Sequence, residues 1–232
     1  MVRRSGAWSR SCDPLGLNGL LAVVTAAAAI GFATSLAVRY WRRPSPAVRG
    51  WLIGAGFYVV GVACQAAAEL GSLDELIYRV WYLTGAFFVA AYLGAGSLYL
   101  GASPRAAGWA MRVLVWASIL VTPVVLTAPI DLARVDPHML TGDGFPQYVR
   151  LMTPIFNVFG TVGLVGVALL SAVRLARSDA PGARRRFVSV ALVAVGSIAT
   201  ASGATLLRFG VPGGFYVSQL IGICLMWLGF VR

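Results

Sequence analysis

The side chains of this chain that could do chemistry gather near one end of several long apolar segments. Three pairs have helical spacing, so both members of a pair share one helix face: Gln65 with Glu69, Tyr78 with Tyr82, and Tyr216 with Gln219. Three further polar residues lie at a similar depth: Arg79, Asn157 and Arg208. Ionisable groups inside a membrane are costly and normally face the bundle interior or water. The set therefore predicts a ligand pocket at this end of the bundle and none at the other end.

An ion pair is the simpler interpretation of the same residues. Glu69 and Arg79 lie at the facing ends of two consecutive apolar segments. A salt bridge between them would pin two antiparallel helices together without binding anything, and a pair between Glu75 and Arg79 within one helix is the alternative. In the pocket interpretation, the spare positive charge of Arg79, Arg150 or Arg208 would instead meet an anionic ligand. Tyr78 and Tyr82 also suit an interfacial aromatic belt. The residues alone leave these alternatives open.

Several kinds of chemistry have no residues to support them. The single histidine, His138, stands in a segment with Asp131, Asp136 and Asp143, which is typical of a solvated loop. The three cysteines are scattered without the spacing of a zinc site, and no lysine is present to carry a retinal Schiff base. We therefore expect no metal, no cofactor and no catalytic residues, and we predict that the protein is not an enzyme.

The elements that must position the polar residues are membrane-spanning helices. Apolar residues make up 59% of the 232 residues and charged residues 12%, which is typical of a polytopic membrane protein. A span needs about 20 apolar residues, and seven segments qualify: 15–38, 50–70, 76–100, 108–130, 147–173, 187–208 and 212–231. The sequence predicts an all-α bundle of seven transmembrane helices over 15–232, preceded by a disordered basic tail over 1–14. We expect a multi-pass protein of the cell membrane, in contact with the lipid bilayer.

The distribution of arginine predicts the orientation of this bundle. Twelve arginines and one acid fall on one side of the membrane, in the loops near 39–49, 105–112 and 174–186 and at Arg232. The other side holds seven arginines and seven acids. Short cytoplasmic loops carry the excess of basic residues, so the N-terminus is expected outside and the C-terminus in the cytoplasm. The polar cluster then lies in the outer half. The basic loops suit anionic lipid headgroups, and we expect no nucleic-acid binding.

A faint internal duplication is one interpretation of the two arginine-rich loops. At an offset of 135 residues, Ala37-Val38-Arg39 falls on Ala172-Val173-Arg174, and Gly31 falls on Gly166. This would make helices 1–3 correspond to helices 5–7, in a 3+1+3 arrangement. Chance similarity of two loops rich in alanine and arginine is the alternative.

Part of the chain resembles a known class of membrane modules. Glu69-Leu70-Gly71-Ser72 ends one segment, Tyr78-Arg79-Val80-Trp81-Tyr82-Leu83 begins the next, and Gly96-Ser97-Leu98-Tyr99-Leu100 ends it. This pattern of residues resembles that of bacterial seven-helix membrane modules, including the N-terminal sensor regions of some histidine kinases. The topology is also similar to that of microbial rhodopsins, without their lysine. The kinase resemblance implies a sensor-like module that acts through a protein partner in the membrane or at the cytoplasmic face.

The sequence thus favours a non-catalytic integral membrane module. Such a module would sense a small or lipidic ligand from outside or serve as an accessory subunit of a membrane complex. A small transporter is the main alternative, but the apolar inner halves of helices 5 and 7 argue against a polar path through the membrane. A membrane-embedded enzyme is the remaining alternative.

Overall fold

The computed structural model of this chain describes residues 17–138, 140–177, 182–208 and 212–231. Its long elements are all helices: α1 (Leu17–Arg42), α2 (Pro46–Glu69), α3 (Glu75–Gly101), α4 (Pro104–Thr127), α5 (Gln147–Ala176), α6 (Ala183–Arg208) and α7 (Pro212–Val231). Two short 3₁₀ turns, Leu132–Arg134 and Gly142–Gly144, lie between α4 and α5. The predicted tail over 1–14 and Arg232 lie outside the described residues.

The protein is a helical bundle of the kind that crosses a membrane. Within the described residues, six helices, all except α6, are long and apolar enough to span a bilayer. Helix α6 has 26 residues, and several of its side chains lie outside the part that the structure describes. The all-helical class and the membrane location predicted from the hydropathy are confirmed at this level.

Local sequence signals account for where the helices begin and end. Ser45, Asp74 and Ser103 each precede a helix and accept a hydrogen bond from the backbone N–H three residues later, at 3.2, 2.7 and 3.3 Å. After each serine, a proline occupies the first helical position, where its missing N–H costs nothing. Helix α2 ends at Glu69, and Gly71 two residues later has a φ of 84°, the left-handed conformation that glycine adopts easily.

Six helices form a ring, and α3 is the most buried of the six helices that are long and apolar enough to span a bilayer. Helices α1, α2, α3, α5, α6 and α7 pack in that order into a ring that closes between α7 and α1, while α4 packs on the outside against α3. In α3 61% of the spanning residues are buried, compared with 17% in α4. Chemistry inside the bundle is therefore expected on α3 and its neighbours rather than on α4.

Glycines bring some helix pairs into direct backbone contact. A Cβ atom on Gly160 of α5 would overlap the backbone of Ala90 in α3, and one on Gly163 would lie 2.8 Å from the carbonyl oxygen of Gly94. Gly196 of α6 meets Gly222 of α7 in the same way. Small residues permit such close approach in lipid, where no hydrophobic effect drives helices together. These glycines therefore serve the packing of the helices, whereas the Cβ position of Gly166 faces open space.

Two helices contain π-helical segments, Tyr82–Phe88 in α3 and Val162–Gly166 in α5. Tyr82, the first residue of the segment in α3, is buried in the interior of the bundle. Asn157 of α5 donates a hydrogen bond from Nδ2 to the carbonyl oxygen of Ala86 within it, at 2.9 Å. A π-helical turn contains an extra residue, which disrupts the regular backbone hydrogen bonds of the α-helix. A carbonyl group in that turn can then accept a hydrogen bond from a side chain.

Candidate functional site

A buried carboxylate joins three parts of the fold at the end of α2. The side chain of Glu69 is 4% exposed, and its Oε2 lies 2.7 Å from Nδ1 of His138 in the loop between α4 and α5. Its Oε1 accepts a hydrogen bond from the hydroxyl group of Tyr216, which is buried on α7. Gln65, one turn earlier on α2 and also buried, lies beside the same hydroxyl group. We call Gln65, Glu69, His138 and Tyr216 the Glu69 cluster.

His138 is the titrating group of this cluster at the water-facing surface. Its side chain is 65% exposed. The hydrogen bond to Glu69 raises the pKa of His138, desolvation opposes this more weakly, and the negative charges of Glu69 and Asp136 raise it further. The unfolded chain has the ordinary histidine pKa of about 6.5. The stabilisation from this contact is therefore fully present below about pH 6.5 and is lost as the pH rises through the higher pKa of the folded protein.

The loop that carries His138 is packed into the bundle. Tyr78 of α3 donates its hydroxyl proton to the carbonyl oxygen of Thr141, at 2.6 Å, and accepts a hydrogen bond from the backbone N–H of Gly144, at 3.1 Å. The ring of Phe145 stacks on Tyr78 and Tyr82, with centroids 5.0 and 4.5 Å away. Val135, Leu140 and Phe145 are buried in the same core. The charged side chains of the loop around His138 are exposed, as expected of a solvated loop, but the buried apolar residues of the loop anchor it to the bundle.

One contact joins the loop to α5, and another joins α5 to α3 beside it. The hydroxyl groups of Tyr82 in α3 and Thr153 in α5 are 3.0 Å apart. Arg150, in the first turn of α5, lies 2.8 Å from the carboxylate of Asp143, and both of these side chains are about half exposed. The loop is thus attached to α2 through His138, to α3 through Thr141, Gly144 and Phe145, and to α5 through Asp143.

Arg79 does not bind Glu69, and the ion pair expected between them is wrong. The Nη1 atom of Arg79 donates to the carbonyl oxygens of Val125 and Ala128, at 2.9 and 2.8 Å, at the end of α4. Its Nη2 lies 3.3 Å from Glu75 in its own helix. A cation at a helix C-terminus is favoured by the unpaired carbonyl groups and the helix dipole. Arg79 therefore fastens the peripheral helix α4 to α3, and it is not spare charge for an anionic ligand.

The predicted site residues fall into separate groups in the structure. Gln65, Glu69 and Tyr216 come together, and Tyr78 and Tyr82 meet under Phe145. Asn157 contacts the π segment of α3, and Gln219 is half-buried on α7. The side chain of Arg208 lies outside the described residues. Sequence reasoning missed His138 and Phe145 as members of the site. The apolar residues scattered through this polar loop were the available signal.

In the opposite half of the bundle, the surface of α5 is concave. An apolar groove of about 500 Å³ runs along α5 and is lined by Gly166, Leu169, Leu170, Val173 and Arg174. These residues have i, i+3, i+4 spacing and form one outward face of the helix. The groove is open at the surface and has none of the polar groups of the Glu69 cluster, so the absence of a ligand pocket from this half stays a prediction.

Comparison with known proteins gives no independent guide to the site. No protein-family model, no curated protein and no solved structure matches this chain. Within the described residues, no three histidine, cysteine or acidic side chains come close enough to hold a metal ion. What the geometry offers chemically is a reversible, charge-dependent contact between a surface loop and the interior of the bundle.

Proposed function

We propose that the protein is a non-catalytic sensor module with seven transmembrane spans, α6 being the span beyond the six identified by length and hydropathy. Its N-terminus lies outside and its C-terminus in the cytoplasm. The outer loop receives a small or lipidic ligand, or a change of conditions, and the bundle passes the change to a protein partner. The observation that carries this proposal is the Glu69 cluster, where the exposed His138 reaches a buried carboxylate shared by α2 and α7.

Contacts between α7 and α1 at the other end of the bundle provide a route for transmitting such a change. Near the end of α7, the indole N–H of Trp227 donates to Ser35 of α1, at 3.0 Å. Arg39 of α1 lies over the ring of Phe230, 4.7 Å from its centroid. Helix α7 is therefore tied to α2 at its first turns and to α1 at its last turns. A shift of α7 that begins at Tyr216 would disturb both contacts.

Accessible-cysteine labelling tests the proposed topology. In a variant without the native cysteines, a single cysteine at Asp136 should react in intact cells with a reagent that cannot cross the membrane. A cysteine at Arg105 should react only after the cells are opened, because the excess of arginine is expected on the cytoplasmic side. Labelling of the Arg105 position in intact cells would contradict the orientation, and protection of the Asp136 position would contradict an outer location of the loop.

Hydrogen exchange tests whether the outer loop communicates with the opposite end. The full chain in lipid nanodiscs would be compared at pH values below 6 and above 8, after correction for the intrinsic pH dependence of exchange. We expect protection near His138 and in the segments around Arg39 and Phe230 to fall together as the pH rises. In His138→Gln, the difference should vanish in all three segments. A change confined to the loop in the wild type would contradict the sensor function.

A further inference from the structure

The Glu69 cluster has the form of a receptor that is occupied by part of the same protein. The receptor groups belong to the bundle: the Glu69 side chain is 4% exposed, and Gln65 and Tyr216 are 4% and 2% exposed. The occupant, His138, is 65% exposed and comes from the loop. A buried carboxylate without a cation is costly. The bundle therefore supplies the anionic site, and the loop supplies the group that occupies it.

We propose that Gln65, Glu69 and Tyr216 form a binding site for a small organic cation, an imidazolium or a protonated amine, which competes with His138 for the carboxylate. The proposal rests on the proposed sensor function and supplies its ligand class. The cation donates an N–H to Oε2 of Glu69, where Nδ1 of His138 now lies at 2.7 Å. When it binds, His138 leaves the carboxylate and the loop loses its attachment to α2.

The charges around the site suit a cation. The negative charges nearby are those of Glu69 and of Asp136, whose Oδ1 accepts from the backbone N–H of His138 at 2.8 Å. His138 is the positive group that faces them. An anion would meet two carboxylates, so the charge of the site favours a cation.

His138 can leave the carboxylate while the loop stays folded. The loop is held independently by Tyr78, by the stacked ring of Phe145 and by the ion pair between Asp143 and Arg150. None of these contacts involves the imidazole ring. Displacement therefore removes the attachment of the loop to α2 and leaves its attachment to α3 and α5.

Imidazole binding to a variant that lacks the internal ligand tests the proposal. His138→Ala, purified as the full chain with a histidine-free tag, would be titrated with imidazole at pH 6, where imidazole is mostly protonated. We expect a saturable rise in Tm, with affinity at least ten-fold higher than in the wild type, where His138 competes. Pyrazole, a neutral ring of the same size at this pH, should give no such rise. The variant E69Q/H138A should not respond to imidazole.

A second measurement keeps the test decisive if His138→Ala does not fold. In the wild type with labelled histidine, unlabelled imidazole should shift the His138 ring resonances toward those of a free histidine. An absence of saturable binding, or equal binding to E69Q/H138A, would overturn the cation site. Imidazole binding with no change around Arg39 and Phe230 would leave the site standing and contradict the sensor function. If the pH-dependent change reaches Arg39 and Phe230 but imidazole does not bind, the cation site is overturned and the sensor function is not.

Discussion

Replacing His138 by alanine should destabilise the protein by about 1–3 kcal/mol at pH 6, because it leaves a buried carboxylate without its cation. The loss should fall below the 3–5 kcal/mol typical of fully buried pairs, since the His138 side chain is 65% exposed. Glu69→Gln should cost less, because the neutral amide oxygen still accepts from Tyr216. The double variant should cost no more than Glu69→Gln alone, so the two substitutions should be strongly non-additive.

A matched cycle distinguishes this coupling from a general weakening of the bundle. Chemical unfolding would be followed for His138→Ala, Glu69→Gln and the double variant, and separately for Arg79→Gln with Glu69→Gln. The second pair should be additive within about 0.5 kcal/mol, because Arg79 binds Glu75 and the end of α4 rather than Glu69. Additivity in the first cycle with coupling in the second would show that Glu69 pairs with Arg79.

Gly160→Ala should be the most damaging small substitution within the helices. Its Cβ would overlap the backbone of Ala90 in α3, and a backbone cannot move aside as a flexible side chain can. Overpacking of this kind costs about 1–3 kcal/mol, and here it would separate α3, the most buried helix, from α5. The same change at Gly166, also on α5, meets open space and should stay within about 0.5 kcal/mol of the wild type.

Unfolding in detergent measures both glycine variants under one condition. A Gly160→Ala protein as stable as Gly166→Ala would contradict the backbone contact between α3 and α5. A loss in both variants would point to the helix backbone of α5 itself, rather than to its contact with α3, as the sensitive feature.

The sequence carries most of the information about the helices. Runs of about 20 apolar residues locate the membrane-spanning helices, because lipid forces every backbone polar group to pair within the segment. Helix starts follow from the capping residues Ser45, Asp74 and Ser103. The π segment Tyr82–Phe88 has no such signature. It depends on contacts between helices, including the hydrogen bond from Asn157.

The candidate site could be predicted only in part. Helical spacing predicted that Gln65 and Glu69 share one helix face. The position of Tyr216 along its apolar segment predicted a similar depth in the membrane. The partner of Glu69 could not be read from charge, because Arg79 and His138 both lie near the outer end. Which of them reaches the carboxylate depends on the path of the loop, and burial of Leu140 and Phe145 sets that path. The seven spans, their orientation and the internal duplication remain predictions of the charge and hydropathy pattern.

The pKa of His138 is the quantity that tests the central contact most directly. The chain contains one histidine, so NMR of histidine-labelled protein with a histidine-free tag gives a single titration curve. We expect the folded wild type to titrate above the ordinary value of about 6.5, because the hydrogen bond to Glu69 stabilises the protonated ring. In Glu69→Gln the pKa should fall toward the ordinary value. A wild-type pKa at or below 6.5 that Glu69→Gln leaves unchanged would contradict the contact between the outer loop and the interior of the bundle.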